Sequence, residues 1–129
     1  MQDSFFSKLT ETEGGWDGTF EVGGRPVTIG FEDETDLEPA KELARLLQRD
    51  IDAIIAKVAA DVVDYVYDHV DPPPTEEDLI ARLSLEAVEF TEGVGGECFF
   101  ACDGDFFGDH SVVAWVDEEG DVDEGHLAG

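Results

Sequence analysis

DLEPAKELARLLQRDIDAIIAKVAADVVDYVYDH, residues 36–69, is the stretch on which the fold turns. Leu37, Ala40, Leu43, Ala44, Leu47, Ile51, Ile54, Val58, Val62, Tyr65 and His69 fall three or four apart, the period at which one face of an α-helix becomes apolar. Asp36 and Glu38 stand near its start, where negative charge suits the helix dipole, and Pro39 is tolerated in a first turn. Asp71-Pro72-Pro73-Pro74 stops it, because proline cannot continue the ladder and drives its predecessor towards extended backbone. A helix this long needs a surface to cover.

The flanking segments supply one. Before the helix, Phe20 and Val22 alternate with Thr19 and Glu21, Gly23-Gly24 offers a tight turn, and Val27, Ile29 and Phe31 alternate with Thr28 and Gly30. Trp16–Phe31 is therefore expected to form a β-hairpin with one apolar face. After the prolines, Thr75 followed by Glu76, Glu77 and Asp78 has the form of an N-cap and acidic first turn, opening a short helix through about Leu83. Strands are then expected at Leu85–Phe90, Glu97–Cys102, Ser111–Asp117 and, weakly patterned, Val122–Leu127, between Gly- and Asp-rich turns. The order ββ-α-α-ββββ predicts one α+β domain over residues 1–129: a mostly antiparallel sheet packed against one long helix and one short one. Parallel βαβ alternation is absent, which disfavours a doubly wound nucleotide-binding fold.

Charge decides what such a domain can meet. Thirty-three acidic residues oppose seven basic ones, a formal charge of −26 on 129 residues. Arg82 is the last basic residue, and the 47 residues after it carry 13 Asp or Glu. At 42% hydrophobic the chain is no disordered acidic tail. It folds against its own repulsion, which salt relieves. The composition also suits a protein from a salt-rich cytoplasm. Direct nucleic-acid binding is disfavoured, since no basic face exists to neutralise phosphates. The opening Met1-Gln2-Asp3-Ser4-Phe5-Phe6-Ser7-Lys8 lacks a basic n-region followed by an apolar run, and no apolar run approaches a bilayer span, so a cytoplasmic location away from membranes is expected. Oligomeric state leaves no mark in these patterns.

The chemistry-bearing residues are sparse. Cys98 and Cys102 share a face if 97–102 is a strand, but stand roughly 13 Å apart at ~3.3 Å per residue. That distance forbids a disulfide or a shared metal without a bulge, so they are read as two core thiols. Adding His110 and His126 makes a Cys2His2 set whose spacing fits no zinc motif. His69, at the helix C-terminus, suits the dipole there. Asp103-Gly104-Asp105 and Asp117-Glu118-Glu119-Gly120-Asp121-Val122-Asp123-Glu124 are the places for a cation, with Asp103, Asp105, Asp117, Asp121 and Asp123 as ligands, yet neither stretch matches a calcium loop and both read as acidic β-turns. No G-x-S-x-G, P-loop or dinucleotide fingerprint occurs, and Ser111 and His110, as strand neighbours, point to opposite faces. No catalytic residue and no cofactor is expected.

Asp103-Gly104-Asp105-Phe106-Phe107-Gly108-Asp109-His110-Ser111-Val112-Val113, followed by Val116-Asp117-Glu118-Glu119-Gly120, resembles a family of uncharacterised bacterial domains that end in an acidic turn, an aromatic-Gly-His-Ser run and a strand closed by an Asp-Gly turn. Trp16-Asp17-Gly18 and the long central helix are similar as well. In that pattern Gly and His adjoin, whereas here Asp109 separates Gly108 from His110. The resemblance implies an α+β fold and the company of small toxin-immunity proteins, and it implies no catalytic residue. The expectation is a small binding protein of immunity type that docks a basic protein through Asp103, Asp105, Asp109, Asp117, Glu118, Glu119 and Asp121. Two alternatives stand beside it: a halophile's housekeeping domain whose acidity only keeps it hydrated, and a metal-dependent hydrolase built on Asp103, Asp105 and His110.

Overall fold

Gly23 and Gly24, at φ of 59° and 82°, occupy the left-handed region that a two-residue hairpin turn requires. They join strands β2 (Gly15–Val22) and β3 (Arg25–Phe31), the hairpin expected from the alternation of its apolar residues. The computed structural model describes residues 5–69, 72–103, 111–123 and 125–128. Within them the order is β1 (Lys8–Thr12), β2, β3, α1 (Leu37–His69), α2 (Glu76–Arg82), β4 (Leu83–Thr91), β5 (Gly95–Cys102), β6 (Ser111–Val116) and β7 (His126–Ala128). The chain is α+β, with one long helix, one short helix and a mostly antiparallel seven-stranded sheet.

The strands lie in the sheet in chain order, β1 to β7. Among the described residues only the β3–β4 pair is parallel, because α1 and α2 intervene and carry the chain back across the sheet. One crossover of βαβ type thus sits inside a set of hairpins. β1 is an additional strand, paired with β2 over Lys8–Thr12. Its sequence, KLTET, has a single apolar residue and is almost wholly exposed, so no period-two signal announces it. β7 begins only at His126, and Val122 makes an isolated bridge to Val116 where a longer strand was expected.

Capping fixes the helix boundaries. The Thr75 hydroxyl accepts from the Asp78 amide at 3.2 Å and the Asp78 carboxylate accepts from the Thr75 amide at 3.1 Å, a reciprocal capping box that starts α2. Asp33 and Asp36 make the same arrangement around a single 3-10 turn, Glu34–Asp36, that leads into α1. The apolar stripe of α1 then lies against one face of the sheet. Ala40, Leu43, Ala44, Leu47, Ile54, Val58 and Val62 are buried against Phe20, Val27, Ile29, Val88, Cys98, Phe100, Val112 and Val116. Each fully buried Val, Leu or Ile contributes about 1.5–3 kcal/mol, which is what holds the fold against its charge. Gly96 lets the helix in: a Cβ there would lie 2.7 Å from both Leu43 Cδ2 and Val88 Cγ1. Gly18 similarly admits the Phe6 ring, so that the N-terminal Phe5-Phe6 closes over Phe20 and Phe31.

A bulge between Leu85 and Ala87 shifts the β4–β5 register by one residue. Leu83 and Leu85 face the core before it, Val88 and Phe90 after it. The opposite face of the sheet therefore carries Ala87 and Glu89, together with Asp17, Thr28, Gly30, Glu97, Phe99 and Trp115. No helix among the described residues is long and apolar enough to cross a membrane.

Candidate functional site

Asp117 organises the turn that follows β6. Its Oδ1 accepts the amides of Glu119 and Asp121, both at 2.9 Å. Its own amide donates to the Asp121 carbonyl at 3.0 Å, and the Gly120 amide donates to the Asp117 carbonyl at 3.1 Å. Gly120 takes φ of 95°, which this tight loop requires and other residues resist. The chain then runs back beside β6, with the Asp123 amide donating to the Trp115 carbonyl at 2.8 Å. Asp is the residue for this task because a short carboxylate can accept two amides of its own loop.

A second turn, after β4, packs beside the first. The Gly93 amide donates to Glu118 Oε1 at 3.1 Å. Gly95 has φ of 124°, and a Cβ there would collide with the Val116 carbonyl oxygen and lie 2.6 Å from Asp117 Cα. Glycine is thus the condition for the two turns to touch.

Between them opens a cavity of about 470 Å³, lined by Val94, Trp115, Asp117, Asp121, Val122 and Asp123. Val94 is 51% exposed, an uncommon position for so apolar a side chain. The lining holds an indole, two valines and three aspartates, and no Lys or Arg. On the helix side of the same turn, Asp121 and Val122 also border a second concavity with Asp50, Ile54 and Lys57. The Lys57 ammonium there is paired with Asp61 at 2.7 Å. An aromatic face attracts a cation through its quadrupole, and surrounding carboxylates add charge-assisted hydrogen bonds. This arrangement can hold an ammonium or guanidinium group; among the described residues its lining offers no hydroxyl or thiol nucleophile.

The residues singled out from the sequence divide into three groups. Asp117, Glu118, Glu119, Asp121 and Asp123 come together at this one turn. Asp103 does not: it follows the far end of β5, eight residues from Gly95, or roughly 26 Å at ~3.3 Å per residue. There its amide donates to the Arg82 carbonyl at 3.0 Å, and Arg82 Nη1 donates to the Asp103 carbonyl at 3.2 Å. Asp105, Asp109 and His110 lie outside the described residues. Asp103 and the turn around Asp117 therefore do not form a single patch, because β5 stands between them. Among the described residues no three His, Cys, Asp or Glu side chains gather closely enough to hold a metal ion.

Cys98 is fully buried in the core, with its thiol pushed up to about 12, chiefly by burial and then by the charge of Glu97. Cys102 is half-buried, and burial, set against the nearby Arg82 guanidinium, raises its thiol too. Both are free thiols. Trp115, Val94 and Val122 carry the apolar part of the site, and nothing in the local strand and turn patterns sets them apart.

Comparisons with protein-family models, with curated proteins and with solved structures gave no match to this chain.

Proposed function

We propose that this protein acts by binding rather than by catalysis, docking a basic protein partner at the turn around Asp117, in the manner of an immunity protein that masks a nucleic-acid-binding toxin. The observation that carries this reading is the cavity of Trp115, Val94 and Val122 ringed by Asp117, Asp121 and Asp123. A cationic side chain of the partner enters it, stacks on the indole and meets the carboxylates. The surrounding negative field speeds encounter and sets partner choice more than it adds affinity.

The test is a calorimetric titration of the full chain with a short arginine peptide. Binding is expected at low salt, weakening steeply as salt screens the charges. Asp121→Asn together with Asp123→Asn should weaken it by about tenfold, in line with two exposed charge pairs. Asp117 is left intact because its carboxylate holds the loop. Affinity unmoved by the double substitution would refute the site.

A second reading, acidity as adaptation to a salt-rich interior, is favoured by the acids of the N-terminal half. Glu11, Glu13, Glu32, Glu34 and Asp52 are exposed and stand on β1 and the turn after it, the segment leading into α1 and α1 itself. It expects the melting temperature to climb steadily with KCl towards molar concentrations. A flat profile would leave it without support.

A further inference from the structure

Trp115 ends a row that crosses the sheet on the face turned away from α1. In register, Asp17 on β2 stands beside Gly30 on β3, Gly30 beside Glu89 on β4, Glu89 beside Glu97 on β5, and Glu97 beside Trp115. The bulge brings Glu89 into this row. Without the extra residue it would keep the phase of Leu83 and Leu85 and point into the core. Gly30 makes the row a seat. A Cβ at that position would lie 3.0 Å from Glu89 Oε2 and 3.3 Å from Asp17 Oδ1, so two carboxylates lean over bare backbone from either side.

Among the described residues Asp17, Glu89 and Glu97 enter no ion pair, and the basic groups that register places on the face, Lys8 and His126, stand on its two outermost strands. Glu89 is held above the usual carboxylate range by desolvation first, then by Asp17 and Glu97. The carboxylates are strung out along a line, which suits a row of separate organic cations and not one metal ion.

Resting on the reading above, we infer that this face takes an extended basic segment of the partner, laid across the strands with cationic side chains on alternate residues. Strands stand ~4.8 Å apart, and alternate residues of an extended chain are ~6.8 Å apart on one side. A first cation sits over Gly30, between Asp17 and Glu89. The second falls about one and a half strand spacings further, between Glu89 and Glu97. The third, about three spacings from the first, reaches the Trp115 indole beside Glu97. The spacing of the acids and the repeat of the ligand match over five residues.

The experiment titrates three ligands into the full chain at low salt by calorimetry: a capped peptide Arg-Thr-Arg-Thr-Arg, its isomer Arg-Arg-Arg-Thr-Thr, and spermine. The alternating peptide should bind about fivefold more tightly than its isomer, a preference of the size that exposed charge pairs supply. Gly30→Ala, which changes no charge and fills the seat, should erase that preference, and Glu89→Gln should weaken the alternating peptide several-fold. Thermal melts of both variants confirm that the fold is kept. Equal affinity for the two peptides, indifference to Gly30→Ala, or spermine binding as tightly as the alternating peptide would each overturn the extended segment. If both peptides bind equally and only Asp121→Asn with Asp123→Asn reduces them, the basic-partner reading survives while this inference falls. If no ligand binds at all, both fall.

Discussion

The Asp61 carboxylate on α1 accepts a 2.9 Å hydrogen bond from the Gly125 amide, 64 residues further along the chain. Its other oxygen accepts from the Lys57 ammonium at 2.7 Å. One side chain thereby ties the segment ahead of β7 to the long helix. Burial by itself pushes this carboxyl up, but the Gly125 amide and then Lys57 outweigh it and hold it below the usual carboxylate range. A carboxyl whose folded pKa is depressed stabilises the fold above its unfolded pKa, and the contribution is lost as pH falls through the folded one. Asp61→Asn should therefore cost about 1.5–3 kcal/mol at neutral pH, the worth of a hydrogen bond to a charged group. In urea melts the gap from the unsubstituted chain should close at pH values below ~4. A gap that persists undiminished in acid would contradict the assignment.

Glu89 carries the opposite sign. Its carboxyl is raised, by desolvation and by the like charges of Asp17 and Glu97, so ionisation at neutral pH costs stability, and protonation as pH falls through the raised value removes the cost. Glu89→Gln should raise stability at pH 7 by about 0.5 kcal/mol or less, solvent screening keeping the effect small. In acid the benefit should vanish. The same substitution is expected to weaken cation binding, so the stability and binding readouts should move in opposite directions.

Gly95→Ala tests how the two turns are held together. The added Cβ meets backbone, not a flexible side chain, at Val116 and Asp117, and does so at φ of 124°. A loss of about 1–3 kcal/mol is expected, with the turn around Asp117 displaced. Circular dichroism melts measure the first, and loss of peptide binding the second. A variant as stable as the parent would show that the turns do not touch as described.

Cys98 should be inert in the folded protein. With its thiol pushed up to about 12 and no solvent exposure, it carries almost no thiolate at pH 8 and offers no route to reagent. Titration with a thiol-specific reagent should label Cys98 only after unfolding, whereas half-buried Cys102 should react slowly in the native state. Rapid labelling of both would mean that the β5 side of the core opens readily.

The fold was legible where apolar residues keep one period over many positions. The α1 stripe from Leu37 to Tyr65, the Gly23-Gly24 hairpin and the Thr75 cap were all readable, because each rests on chemistry local to its own residues. β1 was not, since an exposed edge strand with one apolar residue earns its place by pairing with β2 alone. The parallel β3–β4 pairing depends on how the helices return the chain, which no local pattern records. The bulge left one trace, the break in alternation at Glu86-Ala87, and it redirects Glu89 from core to open face. The acidic turn around Asp117 was visible as composition. The approach of Val94 and Trp115 to it was not, because that contact is made between separate turns across Gly95.

Amide NMR on the full, isotopically labelled chain, titrated at low salt with the alternating arginine peptide, tests the central claim most directly. Shifts are expected to concentrate at residues 93–95 and 115–123 and along Gly30, Glu89 and Glu97, and to disappear on addition of salt. Shifts spread evenly over the exposed acids of α1 and the N-terminal strands, or none at all, would contradict the existence of a cation-binding site at Trp115.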